Sequence, residues 1–424
     1  MSFKEFRFGK IPKEWGIKKV IDYTEVVTDY VANGSFATLK KNVTYYNKPN
    51  YAVLLRLVDY NNGYDGDFVF IDKNAYEFLS KTKLFGGEII ISNVGANVGT
   101  VFKAPRLSYK MNLGPNTVML KTKGEDNFYY YWFLSKGGQE SIKSILSGSA
   151  QPKFNKTAFR ALEIPIPPIN EQKAIAKILS SLDEKIEINN KINKKLEEMA
   201  QAIFKHWFVD FEFPNEEGKP YKSSGGEMVE SEMGMIPKGW ALKELRNYIK
   251  FIKGKKPKNI LDKPFENSEK YLTIDALNGN NIQYAINDKV VIANKEDVLM
   301  VMDGASSGAL YYGMNGIVGS TLSKIFIKDS EINEDILYYF LKMNESNIKS
   351  HLTGSAIPHA DKEFVNKLII SIPKDKELLS KATKIFSDIR QNIIVNNEQS
   401  NRLINLRDTL LPKLMSGEIR VPLD

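Results

Sequence analysis

Two stretches of this sequence concentrate side chains suited to holding a polyanion. LKKNVTYYNK, residues 39–48, interleaves Lys40, Lys41 and Lys48 with Tyr45, Tyr46 and Asn47. KFIKGKKPKNILDK, residues 250–263, sets six lysines, among them Lys253, Lys255, Lys256 and Lys258, against one aspartate. Lysine ammonium groups neutralise phosphates and fix position, whereas amides, hydroxyls and aromatic rings reach base edges and faces. A solvated basic hairpin is the structural alternative for the first stretch. Gly254 and Pro257 predict a loop for the second.

Two glycine-rich turns add polar groups beside backbone that a ligand can approach closely. ISNVGANVG, residues 91–99, offers Asn93 and Asn97, and MDGASSG, residues 302–308, offers Ser306 and Ser307. A further loop carries Ser147, Ser149, Gln151 and Lys153, and its later counterpart carries Ser355 and His359. For all of these, DNA contact competes with a purely structural turn or a helix cap.

Covalent and metal chemistry find little support. There is no cysteine, so no disulfide framework and no thiolate metal site. The three histidines, His206, His351 and His359, are scattered, and no metal site is expected. The sequence lacks an Asn/Asp-Pro-Pro-Tyr/Phe tetrapeptide of the kind that holds a flipped adenine, a Gly-rich cofactor fingerprint, and a phosphate-binding Gly-x-x-x-x-Gly-Lys-Ser/Thr loop. A DNA-binding chain with no catalytic residues and no cofactor of its own is therefore expected. The absence of cysteine, of a long apolar run and of an apolar core in MSFKEFRFGK predicts a cytoplasmic location.

The net charge of +8 is unevenly distributed. Residues 1–169 hold 23 Lys+Arg against 15 Asp+Glu, while 170–210 balance at seven each and 211–424 at 29 each. The basic excess thus falls in the first third, as a polyanion-binding face requires.

These candidate residues belong to a sequence that repeats once. IPKEWGIKKV from Ile11 returns as IPKGWALKEL from Ile236, and VGANVG at Val94–Gly99 returns as DGASSG at Asp303–Gly308. LSGSAQP at Leu146–Pro152 returns as LTGSAIP at Leu352–Pro358, and EIPIPP at Glu163–Pro168 returns as ISIP at Ile370–Pro373. Four motifs in the same order define a duplicated unit. Runs such as YAVLLRLV (51–58), GEIIISNV (87–94) and DVLMVM (297–302) read as strands, and FYYYWFLS (128–135) and ILYYFLK (336–342) as helical patches. The fold class is mixed α/β.

Each unit ends in a long helix with a heptad seam. The first seam is Ile175, Leu179, Leu182, Ile186, Asn189, Asn193, Leu196, Ala200 and Ile203. The second is Ala382, Phe386, Ile389, Ile393, Asn396, Ser400, Leu403, Arg407 and Leu410, each 207 residues later. Both place an asparagine at the centre, Asn189 and Asn396. In an antiparallel coiled coil these two are expected to meet and set the register. Separate packing of each helix on its own domain is the alternative.

With the doubled IP-x-x-W openings, GSAQP and GSAIP, IPIPPINEQKAIAKIL (164–179), FKHWFVDFEFP (204–214) and LPKLMSGEIRV (411–421), the sequence resembles a Type I restriction-modification specificity subunit over nearly its full length. The resemblance implies two target-recognition domains, each reading half of a bipartite site in double-stranded DNA. It also implies long helices that separate them and dock two modification subunits, and restriction subunits that join the complex. Methylation with S-adenosylmethionine, and ATP- and Mg-dependent translocation and cleavage, would belong to those partners. The implied division is 1–169 for the first recognition domain, 170–210 for the central helix, 211–235 for a linker, 236–373 for the second domain and 374–424 for the C-terminal helix and tail. Two departures stand out: the second exit reads Pro373-Lys-Asp-Lys-Glu377, and the tail replaces FKHWF with LPKLM. Rival readings are a specificity-like subunit of another modification or defence assembly, a coiled-coil scaffold without nucleic acid, and a self-contained nuclease.

Overall fold

The computed structural model describes residues 2–328, 331–354 and 356–422. The chain forms two compact units, Met1–Ile186 with Asn401–Asp424, and Glu187–Ser400. Each boundary falls inside a long helix, Ile169–Phe204 or Lys376–Met415, so each unit takes a length of both helices.

Unit 1 is built on an antiparallel sheet ordered Thr24–Asp29, Thr117–Thr122, Ile89–Ser92, Val101–Lys103. Unit 2 repeats it as Ile249–Lys253, Leu322–Ile327, Val298–Val301, Leu310–Tyr311. The central strands Ile89–Ser92 and Val298–Val301 are buried throughout, which explains their unbroken apolar character. A second sheet differs between the units. It has four strands in unit 1, with Ala52–Leu55 parallel to Lys110–Leu113, and five in unit 2. The run YAVLLRLV is a strand only to Leu55, because a short helix, Leu57–Asn61, begins beyond Arg56, where Asp59 accepts from the Arg56 backbone N–H. Both aromatic patches are helical, as Asp126–Leu134 and Glu334–Met343.

The opening and exit motifs of each unit pair with each other. Gly16–Lys19 runs antiparallel to Glu163–Ile166, and Trp240–Glu244 to Ile369–Pro373. The tryptophan of each opening is then covered by the segment that follows a long helix. In unit 1, Trp15 is fully buried and its Nε1 donates to Glu171 Oε2 at 3.0 Å. Arg420, in the tail, donates to both Glu171 oxygens at 2.6 and 3.0 Å and also pairs with Glu14. Gly417 turns at φ 69°, and a Cβ there would lie 2.4 Å from Pro12. In unit 2, Phe208, Phe211 and Phe213 surround Trp240 at 5.2–5.6 Å between ring centroids. FKHWFVDFEFP and LPKLMSGEIRV therefore do the same packing job with different chemistry. At the departing exit, Glu377 is exposed and pairs with Lys381, where Glu171 in unit 1 is buried.

Among the seam residues, Ile175, Leu179, Asn189 and Ala200 are buried, as are Ala382, Phe386, Ile389 and Ser400, and the others are half-buried. In unit 1, Arg407 donates to Asp183 at 2.8 Å, and Asp183 accepts from the Tyr131 hydroxyl at 2.6 Å. The polar centre lies in unit 2 and differs from the expected register. Asn189 Nδ2 reaches Asn396 only at its backbone oxygen, at 3.4 Å; its nearer partners are Gln399 Oε1 at 3.0 Å and Ser400 Oγ at 3.1 Å. Asn396 Nδ2 instead donates to Asn193 Oδ1 at 2.9 Å. Seam residues of opposed helices interleave, so the centre of the pattern falls between two polar positions and not on one. Since Ser400 follows Asn193 by 207 residues, as Asn396 follows Asn189, the pairing is self-complementary.

Removing the Glu171 carboxylate leaves a partly buried guanidinium and a buried indole N–H without their acceptor. Glu171→Ala is expected to lower the stability of the full chain by about 2–4 kcal/mol. A urea midpoint equal to that of the native chain would show that the clamp contributes nothing.

Candidate DNA interface

In each unit the glycine turn and the Gly-Ser-Ala loop are joined by the same backbone bonds. Gly95 N–H donates to Pro152 O at 2.9 Å, and Gly304 N–H to Pro358 O at 2.9 Å. Phe154 N–H donates to Asn93 O at 3.1 Å, and Ala360 N–H to Met302 O at 2.8 Å. Val94 is bridged to Lys153, which is bridged to Ser147; Asp303 is bridged to His359, which is bridged to Thr353. Gly148 and Gly354 allow the loop to close. Both have positive φ, 84° and 87°, and a Cβ would meet a loop carbonyl at 2.9 and 2.4 Å.

This junction gathers several of the sequence candidates. Ser147, Ser149, Gln151 and Lys153 lie on its loop, where Ser147, Ser149 and Gln151 are exposed and the Ser147 hydroxyl donates to Lys153 O at 3.2 Å. Asn97 is exposed, and Asn93 is half-buried with its amide donating to Phe154 O at 3.4 Å. Ser306 is half-buried. Ser307 is a correction. It is buried, and its hydroxyl serves the carbonyls of Met302, Gly304 and Pro358 at 3.2, 2.7 and 2.9 Å, so it holds the junction together and presents nothing outward. His359 is exposed at the junction, and Ser355 lies outside the described residues.

LKKNVTYYNK is not a hairpin. Phe36–Asn42 is a helix capped by Ser35, with Lys40 and Lys41 exposed in its last turn, where cations suit the carbonyl end. Tyr46 belongs to the fold, bonded through its backbone to Phe70 at 2.9 and 2.8 Å and through its hydroxyl to Asp72 at 3.4 Å. Tyr45 and Lys48 are exposed, and Asn47 follows Tyr46 on the same turn. Lys40, Tyr45 and Asn93, 53 residues apart at the extremes, line one cavity of about 550 Å³. Phe36 stands at its rim and is 81% exposed; a lone aromatic carries no signal in sequence, so nothing there marks it.

The second basic stretch is only partly a loop. Lys253 ends the strand Ile249–Lys253, and Gly254 is pressed so close to the Val318 and Gly319 carbonyls that a Cβ would lie 2.4 and 2.2 Å away. Lys253 donates to Asp303 at 3.1 Å, and Lys258 pairs with Asp288 at 3.4 Å. Lys255 and Lys256 are exposed and have no acidic partner among the described residues, a state they share with Lys40, Lys41, Lys48 and Lys153. Asp303 is a site residue that its motif alone does not mark. The signal for it is its alignment with Val94, where the first unit has no charge.

The family model for the Type I restriction modification DNA specificity domain matches residues 12–198 and again 237–405. The chain belongs to that family. Its class is DNA recognition and not catalysis. It is 28% identical to the MjaIX specificity subunit of Methanocaldococcus jannaschii over 99% of this chain and 97% of that one. It is 23% identical to the HindI specificity subunit of Haemophilus influenzae over 69% of this chain and 77% of that one. Its fold is similar to the crystal structure of a Type I S subunit from M. genitalium, with a TM-score of 0.58 at 19% identity, over 96% of this chain and 98% of that one. Among the described residues no helix is long and apolar enough to cross a membrane, and no cluster of three or more His, Asp or Glu is placed to hold a metal ion.

A lysine without a carboxylate partner displaces more counterion from DNA than one already neutralised. Lys255→Ala with Lys256→Ala is expected to reduce the slope of log affinity against log salt by roughly 0.9 for each phosphate no longer neutralised on duplex DNA. An unchanged slope would place this loop away from the phosphates.

Proposed function

We propose that this chain reads a bipartite target in double-stranded DNA, one half-site for each recognition domain, 1–169 and 236–373. The observation that carries the reading is the duplicated junction, in which each unit joins a glycine turn to a Gly-Ser-Ala loop and surrounds it with exposed polar and cationic side chains. On this reading the helices, 170–210 and 374–424, pair as an antiparallel coiled coil that spaces the two readers, and residues 211–235 link the halves. Contacts between residues 189–193 and 396–400 support the antiparallel sense. Lys40, Lys41, Lys48, Lys153, Lys255 and Lys256 would meet phosphates, and Asn93, Asn97, Gln151 and Ser306 would lie near base edges.

The helices would also dock two modification subunits. Ile188, Ile192 and Met199 form an exposed apolar stripe on the first helix at i, i+4 and i+11. Val395 and Leu406 are exposed on the second, each 207 residues after Ile188 and Met199. A surface that recurs at one offset suits two copies of one partner. S-adenosylmethionine would be bound by those partners, and ATP and Mg by restriction subunits of the same complex.

Co-expression with a modification subunit, followed by genome-wide mapping of methylated bases, tests the reading. A split motif with a fixed unspecified spacer is expected; a continuous motif, or methylation that ignores this chain, would overturn it. Inserting one heptad into each helix adds ~10 Å at 1.5 Å per residue while keeping the seam. The expected result is a longer preferred spacer with both half-sites unchanged, or abolished activity where DNA twist puts the grooves out of phase. An unaltered spacer would show that the helices do not set the distance.

A further inference from the structure

The junction has the same backbone in both units but not the same charges. In unit 1, Val94 is bridged to Lys153, a permanent cation with no acidic partner among the described residues. In unit 2 the two positions hold Asp303 and His359, 209 and 206 residues later. His359 Nδ1 lies 2.8 Å from Asp303 Oδ1, and Lys253 donates to Asp303 Oδ2 at 3.1 Å. The imidazole is 47% exposed and borders a recess of about 450 Å³. Three other charged groups line that recess: Asp361, Lys362 and Glu363, at the start of the helix Lys362–Asn366. Asp361 is committed to that helix, accepting from the Glu363 and Phe364 backbone N–H groups at 2.8 and 3.1 Å. Lys362 lies over the Phe251 ring, 5.8 Å from its centroid.

Burial pushes the Asp303 carboxyl up, but hydrogen bonds from His359 and Lys253 outweigh it and hold the group below its usual range. A carboxylate at Nδ1 makes that nitrogen the proton carrier and leaves Nε2 as the ring nitrogen for a ligand. A neutral imidazole then offers an acceptor at Nε2. A protonated one offers a cationic donor, as Lys153 always does.

We propose that Lys153 and His359 are equivalent contact residues, each donating to an acceptor on the DNA of its own half-site, and that Asp303 is the positioning residue that holds the imidazole through Nδ1. The acceptor is a phosphate oxygen or a purine N7, which share this chemistry. The proposal rests on the DNA-reading function above and adds an asymmetry to it: one half-site is met by a lysine, the other by a histidine paired with a carboxylate. Only the protonated form of His359 makes the cationic contact, so binding takes up a proton and strengthens as pH falls.

The test measures binding of the full chain, with its modification partner, to duplexes carrying the mapped target, from pH about 8 to about 5.5, the window in which histidine changes charge. Affinity is expected to rise roughly tenfold toward acid, the scale of one charge-assisted hydrogen bond. H359K should hold the acid-level affinity throughout, and H359Q the weaker alkaline one. D303N should alter the pH profile, and the V94D/K153H double variant should introduce a pH-dependent step at the first half-site. A duplex with only the second half-site scrambled separates the acceptors: the pH effect persists for a phosphate and vanishes for a base. H351Q and H206Q should keep the native profile. A native profile in H359Q, with target-specific binding intact, would overturn this inference alone. Absence of target-specific binding by the native complex would overturn the DNA-reading function itself.

Discussion

Each unit closes on itself through a short antiparallel ribbon between the strands of its opening and exit motifs, and the remaining architecture depends on that closure. Because Gly16–Lys19 is bonded to Glu163–Ile166, the start of the helix at Ile169 is fixed beside the opening tryptophan. Glu171, two residues into the helix, can then accept from Trp15 and Arg420 together. The same closure in unit 2 places Trp240 under the aromatic residues that follow the first helix. One unit uses a buried carboxylate with two donors and the other a cluster of rings. A buried ion pair tolerates loss of one partner poorly, whereas an aromatic cluster loses area gradually, so the two closures respond differently to substitution.

The polar layer in the helix seam is satisfied at its donor only: the buried Asn189 Oδ1 has no hydrogen-bond partner among the described residues. Asn189 is fully buried, and its amide finds Gln399 and Ser400 as acceptors. Shifting the helices by one turn so that Asn189 faces Leu403 in place of Ser400 would leave that amide among apolar side chains, at a cost of the order of 1–3 kcal/mol for each unmade bond. Apolar seams tolerate many registers, and the two amides disfavour those that set them against apolar residues.

At the candidate interface, electrostatics sort lysines that look alike in sequence. Lys253 and Lys258 face carboxylates, while Lys255 and Lys256 between them do not. A cation already paired gives up part of its attraction for phosphate, since the displaced carboxylate must be rehydrated. The junction therefore presents a graded surface, with free cations set around groups that are held in place by backbone bonds. Rigid placement of this kind reduces the ordering cost of binding.

Much of this protein was legible in its sequence because repetition and periodicity survive without coordinates. The duplicated unit, the mixed α/β class, the aromatic helices and the two seams follow from motifs in order and from apolar spacing, which local geometry imposes on any chain of this kind. What depended on contacts between distant residues did not show. Ser307 reads as a polar turn residue, yet three carbonyls from two segments surround it. Asn189 and Asn396 occupy matching positions, but interleaved side chains move each to a partner four residues from the expected one. The meeting of Lys40, Tyr45 and Asn93 at one cavity, and of Lys253, Asp303 and His359 at one recess, joins segments about 50 residues apart or more. Composition and spacing report what each segment offers; only the folded backbone, through its strand pairing and loop closure, decides which of those offers face one another.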